Sequence, residues 1–332
     1  GTKEKFNILE HLNNLKKTNT PQIYSCEIEK VEHFDSSHSE ADRTRSFLKV
    51  QDGCDYSCSY CTIPLARGKS RNKSISDLVT EANNIAQSGI KEIILTGVNI
   101  GDFGKTTNEK FLDLIKALEQ TEGLERIRIS SVEPNLLKDE IIEHISKSKK
   151  IVHHFHIPLQ SGCNKILAKM QRRYNRELFL SRVNKIKQLM PDAFIGVDVI
   201  VGFPGETDED FEDTFQFLDK LAATFYHVFS YSERPNTKAA AFEQKVPKNI
   251  IYSRSKKLQE LANQKQNQFY KQNLGNTEEV LFEAYKKDNL MYGFTGNYIK
   301  VETNYNKSLV GQIKKVKLLS VNDSGNVDIE FL

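Results

Sequence analysis

Three cysteines define the chemistry this chain can do. The segment Gly53-Cys54-Asp55-Tyr56-Ser57-Cys58-Ser59-Tyr60-Cys61 places three of the chain's five cysteines within eight positions, at C-x3-C-x2-C spacing. So short a loop aims three thiolates at one point, as an iron–sulfur cluster requires. Four irons held by three thiolates leave one iron open to a small molecule. Zinc is the competing reading, but a structural zinc site takes four tetrahedral ligands, often as two separated pairs. No cysteine or histidine follows Cys61 for twelve residues to complete such a set. The other two cysteines, Cys26 and Cys163, stand alone, which fits a reducing compartment better than a disulfide framework.

The elements that must hold this loop are written as apolar runs. Runs at 46–50, 92–96, 126–130, 153–158, 194–201 and 225–230 predict six strands, most of them separated by helical periodicity. The helix after the loop starts at Ser76 and Asp77, carries its stripe on Leu78, Val79, Ala82, Ile85 and Ala86, and stops at Gly89. The helix after the fifth strand opens on Thr207-Asp208-Glu209-Asp210, close to a capping box, and buries Phe211, Phe215 and Leu218. Six strand–helix repeats imply a parallel sheet, either curled as an incomplete barrel or open as a doubly wound fold. Chemistry in a barrel collects where strands end. Here those ends read Thr96-Gly97-Val98-Asn99, Ser130-Ser131-Val132-Glu133-Pro134, Ile157-Pro158-Leu159-Gln160-Ser161-Gly162 and Gly202-Phe203-Pro204-Gly205-Glu206. Asp198 lies inside the fifth strand, where an unpaired carboxylate is costly, so a functional partner is expected.

Upstream, residues 1–45 read as a short helix with Phe6, Leu9, Leu12 and Leu15 at helical spacing, then a polar linker through Ser36, Ser37 and Ser39. Downstream, a polar helix over about 250–272 gives way to period-two alternation from about 276, with a Ser-Gly turn at Ser324-Gly325. That texture predicts a small all-β barrel. Composition is 38% hydrophobic and 27% charged, without an apolar run of ~18 residues. The first apolar positions alternate with lysine and asparagine and do not read as a secretory signal, so no membrane and a cytoplasmic location are expected. The start at Gly1 reads as that of a trimmed chain or fragment.

The cysteine loop, with an aromatic residue before its last cysteine, resembles that of radical S-adenosylmethionine (SAM) enzymes. The runs Phe47-Leu48-Lys49-Val50-Gln51-Asp52-Gly53-Cys54, Cys61-Thr62-Ile63-Pro64, His156-Ile157-Pro158-Leu159-Gln160-Ser161-Gly162 and Gly202-Phe203-Pro204-Gly205-Glu206-Thr207 are similar to the methylthiotransferase family within that class. The Cys-Asp-Tyr-Ser-Cys-Ser-Tyr-Cys-Thr-Ile-Pro run resembles its branch acting on threonylcarbamoyladenosine next to the tRNA anticodon. The likeness extends from Arg43 to the β-rich tail, which resembles the TRAM domain used for RNA contact. It implies an α/β fold: an incomplete (β/α)6 radical-SAM barrel over 46–272 and a TRAM-like β domain over 273–332, with 1–45 the remnant of an N-terminal domain and its linker.

The resemblance further implies that Cys54, Cys58 and Cys61 hold a [4Fe–4S] cluster that cleaves SAM to a 5′-deoxyadenosyl radical. Tyr60 would lie near the adenine, although a packing aromatic explains it too. Gly97 and Asn99 would let backbone approach the methionine amino group. Ser131 and Glu133 fall to the ribose hydroxyls, Gln160 and Arg173 to polar groups of cofactor or substrate, and Asp198 to the cofactor. A solvated charge in the Arg172-Arg173 pair explains Arg173 almost as well. Family members carry three more cysteines for a second cluster in an N-terminal domain, which supplies sulfur. Cys26 is the only cysteine before the loop here, so the expectation is that this chain only cleaves SAM and that the second cluster belongs to the full-length protein. Cys163 reads as a buried structural thiol.

The tRNA partner rests mainly on this likeness, and a reducing electron donor is implied with it. Net charge is only +3, and residues 276–332 hold seven lysines, no arginine and eight acids, so the tail shows no phosphate-tracking charge. Tyr292, Phe294, Tyr298 and Tyr305 could stack bases, but aromatics in so small a barrel are mostly core. Arg67, Lys69, Arg71 and Lys73 form a basic run after the loop, placed to meet phosphates; a solvated helix start explains them equally. Sibling activities on isopentenyladenosine in tRNA or on a ribosomal protein aspartate stay open, as does a non-catalytic RNA-binding protein with a metal-stapled loop.

Overall fold

The computed structural model describes residues 4–14, 20–28, 31, 34, 37–39 and 44–332. Leu15, Ser36 and Arg43 lie outside the described residues, as does the side chain of Phe6. The helix Ile8–Asn13 forms, but its apolar positions do not pack: Leu9 is 72% exposed and Leu12 54%.

Six parallel strands build the main wall: β1 (Arg45–Lys49), β2 (Glu92–Thr96), β3 (Arg126–Ile129), β4 (His154–Gln160), β5 (Phe194–Val201) and β6 (Phe225–Ser230). They pair in chain order, β1-β2-β3 and β4-β5-β6, and bridges from Ile127 to Ile151 and from Ser131 to His156 join the two halves. A doubly wound sheet reverses its strand order and so covers both faces with helices. Sequential order with right-handed crossovers puts every helix on one face and leaves the other as a lumen. β1 and β6 do not pair among the described residues, so the barrel is incomplete.

Period-two alternation sorts the side chains. Phe155, Ile157 and Leu159 of β4, like Ile195, Val197 and Val199 of β5, enter the core under the helices. Alternate positions, among them Glu92, Arg128, His156, Asp198 and His227, turn to the lumen. Helix Ile75–Gln87 is capped at Ser74, earlier than the sequence predicts: the Ser74 hydroxyl accepts the Asp77 N–H. Thr207 and Asp210 form the full capping box of helix Asp208–Lys220, which buries Phe211 and Leu218 and leaves Phe215 half-buried. Pro158 has no N–H to give the sheet, and β4 bulges just after it, with Gln160 at φ 70°.

Helix Lys248–Asn273 leads into a closed barrel of β7 (Thr277–Lys287), β8 (Leu290–Thr295), β9 (Lys300–Asn304), β10 (Ile313–Val321) and β11 (Val327–Phe331), ordered β10-β11-β9-β8-β7. It is bolted to the amino ends of the first three wall strands. Arg126 donates to the Phe294 and Glu279 carbonyls at 3.2 and 2.5 Å, and Arg128 to the Gly296 carbonyl at 3.1 Å. Arg45 pairs with Glu283 at 2.9 Å. Tyr298 plugs the lumen from below, its ring 4.7 Å from the Arg128 guanidinium and 4.8 Å from the rings of Phe294 and His154. Phe294 and Tyr298 therefore dock the β-barrel and do not wait for bases. No helix among the described residues is long and apolar enough to cross a membrane.

At the centre of this joint sits Glu92, whose side chain is 1% exposed; it meets Arg128 at 2.9 Å and Arg45 and Arg126 at 3.9 Å. Burial pushes its carboxyl up, but Arg128, helped by Arg45 and Arg126, outweighs burial and holds it below the ordinary value of 4.5. A depressed carboxyl contributes stability above its unfolded value and loses it as pH falls through the folded one. Glu92→Gln should therefore cost about 3–5 kcal/mol at neutral pH, the usual result of leaving buried charges unpaired. It should also flatten the loss of stability on acidification below about 4.5. Urea melts across a pH series measure both.

Candidate active site

The cysteine loop leaves the carboxyl end of β1, and one buried side chain organises its start. The Gln51 amide donates to the Asp52 and Gly53 carbonyls and the Ser70 hydroxyl at 2.8–3.0 Å, while its oxygen accepts the Val98 and Asn99 N–H groups at 3.0 and 2.8 Å. Gln51 thus ties the loop to the turn after β2. Gly53 is obligatory: it lies at φ 74°, and a Cβ would stand 1.9 Å from the Lys69 carbonyl oxygen. Gly97 is needed by the fold itself. A Cβ there would lie 2.7 Å from Ile100 Cγ2 and 2.9 Å from the Gln51 carbonyl oxygen, so the glycine makes room for the chain itself. Farther along, Ser59 anchors the loop through Oγ to the Lys169 carbonyl at 2.8 Å.

The three cysteines line one cavity of about 660 Å³ with Tyr56, Lys69 and Asn236 among its other walls; Cys26 and Cys163 do not. Each sulfur accepts one N–H: Cys54 from Tyr56 and Cys61 from Ile63, both at 3.4 Å, and Cys58 from the Arg172 guanidinium at 3.1 Å. N–H groups aimed at the sulfurs are what iron–sulfur clusters use to set their potentials. Burial pushes the Cys54 thiol up to about 11 and raises Cys58 against the pull of Arg172, so iron must displace protons as it binds.

The buried cation beside the cysteines is Arg172. Its side chain is 4% exposed, and it bonds Cys58, the hydroxyls of Tyr60 and Tyr174, and the Glu133 carboxylate. Arg173 instead stacks 4.0 Å over the Tyr56 ring and donates to the Asp55 carbonyl at the rim. Gln171, at φ 58°, turns the chain just before the pair, so which arginine faces inward could not be read from spacing. Burial pushes the Glu133 carboxyl up; Arg172 opposes this, while Asp102 and Asp198 add to it. Asn99 is 3% exposed, and neither polar atom of its amide has a partner among the described residues, an arrangement that calls for a ligand. Gln160, too, has no side-chain hydrogen bond among the described residues. Ser131 stands beside His156 at the bridge between the sheet halves. Asp198 is half-buried, and His156 Nε2 lies 2.7 Å from its Oδ1. Cys163 is buried with its thiol 3.5 Å from Asp210.

The basic run is corrected at one position. Arg71 is 4% exposed and donates to the carbonyls of Arg67 and Lys69 and to Asp52, so it holds the turn instead of facing phosphate. Lys69 is exposed on the cavity wall, Arg67 stands 3.6 Å from Asp52, and Lys73 pairs with Glu81 at 3.1 Å.

A sequentially wound parallel barrel with three hydrogen-bonded thiols at its carboxyl mouth is a radical SAM fold, and residues 48–218 match the Radical SAM superfamily. Among solved structures, the fold resembles coproporphyrinogen III oxidase HemN of Escherichia coli, with TM-score 0.52 and 13% identity over 84% of this chain and 67% of that one. It also resembles the methyltransferase TsrM of Kitasatospora setae, with TM-score 0.51 and 18% identity over 58% and 35%. The sequence is 36% identical to threonylcarbamoyladenosine tRNA methylthiotransferase MtaB of Bacillus subtilis, over 96% of this chain and 72% of that protein. It is likewise 36% identical to tRNA-2-methylthio-N(6)-dimethylallyladenosine synthase of Clostridium botulinum, over 97% and 72%. The chain belongs to the methylthiotransferases of the radical SAM superfamily, and membership implies a [4Fe–4S] cluster and SAM.

Removing Arg172 takes both a positive charge and an N–H from the Cys58 sulfur. Arg172→Met should lower the midpoint potential of the reconstituted cluster by about 60 mV, a tenfold change for a one-electron couple. A redox titration followed by electron paramagnetic resonance reads the shift.

Proposed function

We propose that the protein methylthiolates carbon 2 of N6-threonylcarbamoyladenosine at tRNA position 37, within the reducing cytoplasm. The observation that carries this reading is the loop itself: three thiols, each given one N–H, around a cavity at the mouth of the barrel. When bound, the cluster and SAM would supply radical hydrogen abstraction at the base, with electrons from an external donor. Cys54, Cys58 and Cys61 hold the cluster, and Arg172 fixes Cys58. The orphan amide of Asn99 and the Gln160 side chain receive polar groups of SAM, with Tyr60 flanking the adenine and Ser131 and Glu133 beside the ribose. Arg173, stacked on Tyr56, stays at the rim for substrate, and Asp198 faces it from the lumen. We assign residues 46–272 to catalysis and 273–332 to RNA docking. The comparable identity to the dimethylallyladenosine enzyme supports the sibling substrate as a second reading.

With one three-cysteine loop, this chain should release 5′-deoxyadenosine without completing methylthiolation, the second cluster being a property of the full-length form. The expected outcome of an anaerobic assay on tRNA that carries N6-threonylcarbamoyladenosine or isopentenyladenosine but no methylthio group is release of 5′-deoxyadenosine by this chain and 2-methylthio-N6-threonylcarbamoyladenosine from the full-length enzyme. Cys54→Ala should abolish both and Cys163→Ser neither. Nucleoside mass spectrometry decides; methylthiolation confined to isopentenyladenosine would shift the assignment to the sibling substrate.

Arg67, Lys69 and Lys73 are the candidates for phosphate contact. Replacing all three with Ala should reduce the slope of log affinity for tRNA against log salt by about 0.7–0.9 for each phosphate no longer neutralised. Filter binding over a salt series measures it, and an unchanged slope would place the phosphates elsewhere.

A further inference from the structure

The lumen holds a second group of metal-ligating side chains that the cysteine site does not use. His156, Asp198 and His227 stand on the adjacent strands β4, β5 and β6. Asp198 is in register with His227 on one side and with Pro158, two residues beyond His156, on the other. One donor atom from each of the three lies within 4.8 Å of the other two, the only such group of three or more among the described His, Cys, Asp and Glu residues. The His156 and His227 rings are 5.0 Å apart. No lysine or arginine pairs with Asp198 among the described residues. Gly196, opposite His156 in register, adds no side chain to this layer; a Cβ there would lie 3.5 Å from His227 Nε2. All three residues are only half-buried, so the group opens to the chamber and not to the core.

We propose that His156, Asp198 and His227 form a site for a divalent transition metal, zinc foremost, inside the barrel. Two imidazoles and one carboxylate are a donor set suited to zinc, iron(II) or cobalt(II). Calcium and magnesium want more oxygen ligands than the layer offers. Zinc with three protein ligands keeps a fourth position for an outside ligand. Here that position faces the chamber and takes water or an anionic oxygen, such as a carboxylate of the bound substrate. The site does not depend on which base is modified or on the cluster.

The test uses the full chain with Cys54, Cys58 and Cys61 replaced by Ser, stripped of metal and titrated with Co²⁺. Expected is one Co²⁺ per chain with visible ligand-field bands, no thiolate charge-transfer band, and displacement by equimolar Zn²⁺. In that background Asp198→Asn and His227→Ala should weaken binding by more than the ~10–100-fold typical of losing an outer-shell partner. Because a lumen variant can disturb folding, zinc-edge X-ray absorption of the Zn²⁺-loaded chain with its triad intact gives an independent reading: imidazole scattering and no sulfur. Failure to bind, binding that survives both triad variants, or a sulfur shell overturns the proposal.

Discussion

A carboxylate ringed by three guanidiniums is the constraint on which the molecule is assembled. Glu92 opens β2 inside the barrel, where no water can solvate it, and Arg45, Arg126 and Arg128 supply its counter-charge from the strands on either side. Those three cations then exceed what one acid can balance, and their remaining donors must go somewhere. They go to backbone carbonyls and an acid of the β-barrel. The small domain is held because it completes the hydrogen bonding of charges that the wall cannot satisfy alone. The aromatic side of the joint repeats the logic: Tyr298 covers the Arg128 face with a ring, filling volume that would otherwise be a wet void under the lumen.

The same economy of one buried polar group serving two elements builds the mouth. Gln51 saturates its amide between the cysteine loop and the turn carrying Asn99, so the two loops are set with respect to each other before any ligand arrives. Arg172 plays the equivalent part across the barrel, joining Cys58 to Glu133 and to the tyrosines behind them. Preorganisation of this sort fixes an electrostatic environment in advance, so none of it has to be arranged during reaction.

Much of this is legible in the chain. The six strands lie within two residues of the apolar runs, because parallel strands buried under helices need continuous β-branched and aromatic stretches. The three cysteines are legible because rare residues at fixed spacing in one loop need no long-range information. What stays hidden depends on contacts far apart in sequence. Arg172 and Arg173 are equivalent until Gln171 turns the chain between helices, and Arg71 looks like a surface cation until Asp52 and two carbonyls enclose it. Tyr298 and Phe294 carry no mark of docking, since an aromatic in a small barrel has the same composition whether it faces in or out. Gly97 stands out at a strand end, yet the atoms that exclude a side chain there belong to Gln51 and Ile100.

The plugged floor makes the protein a gauge. Its β-barrel is clamped under the amino ends of the strands and its thiols sit above their carboxyl ends, so the two are separated by the height of the wall. The longest strand of that wall, β5, has eight residues, which at ~3.3 Å each is about 26 Å. Charge pairs and stacked rings set that height, so the distance from the thiols to the β-barrel is fixed by the scaffold itself.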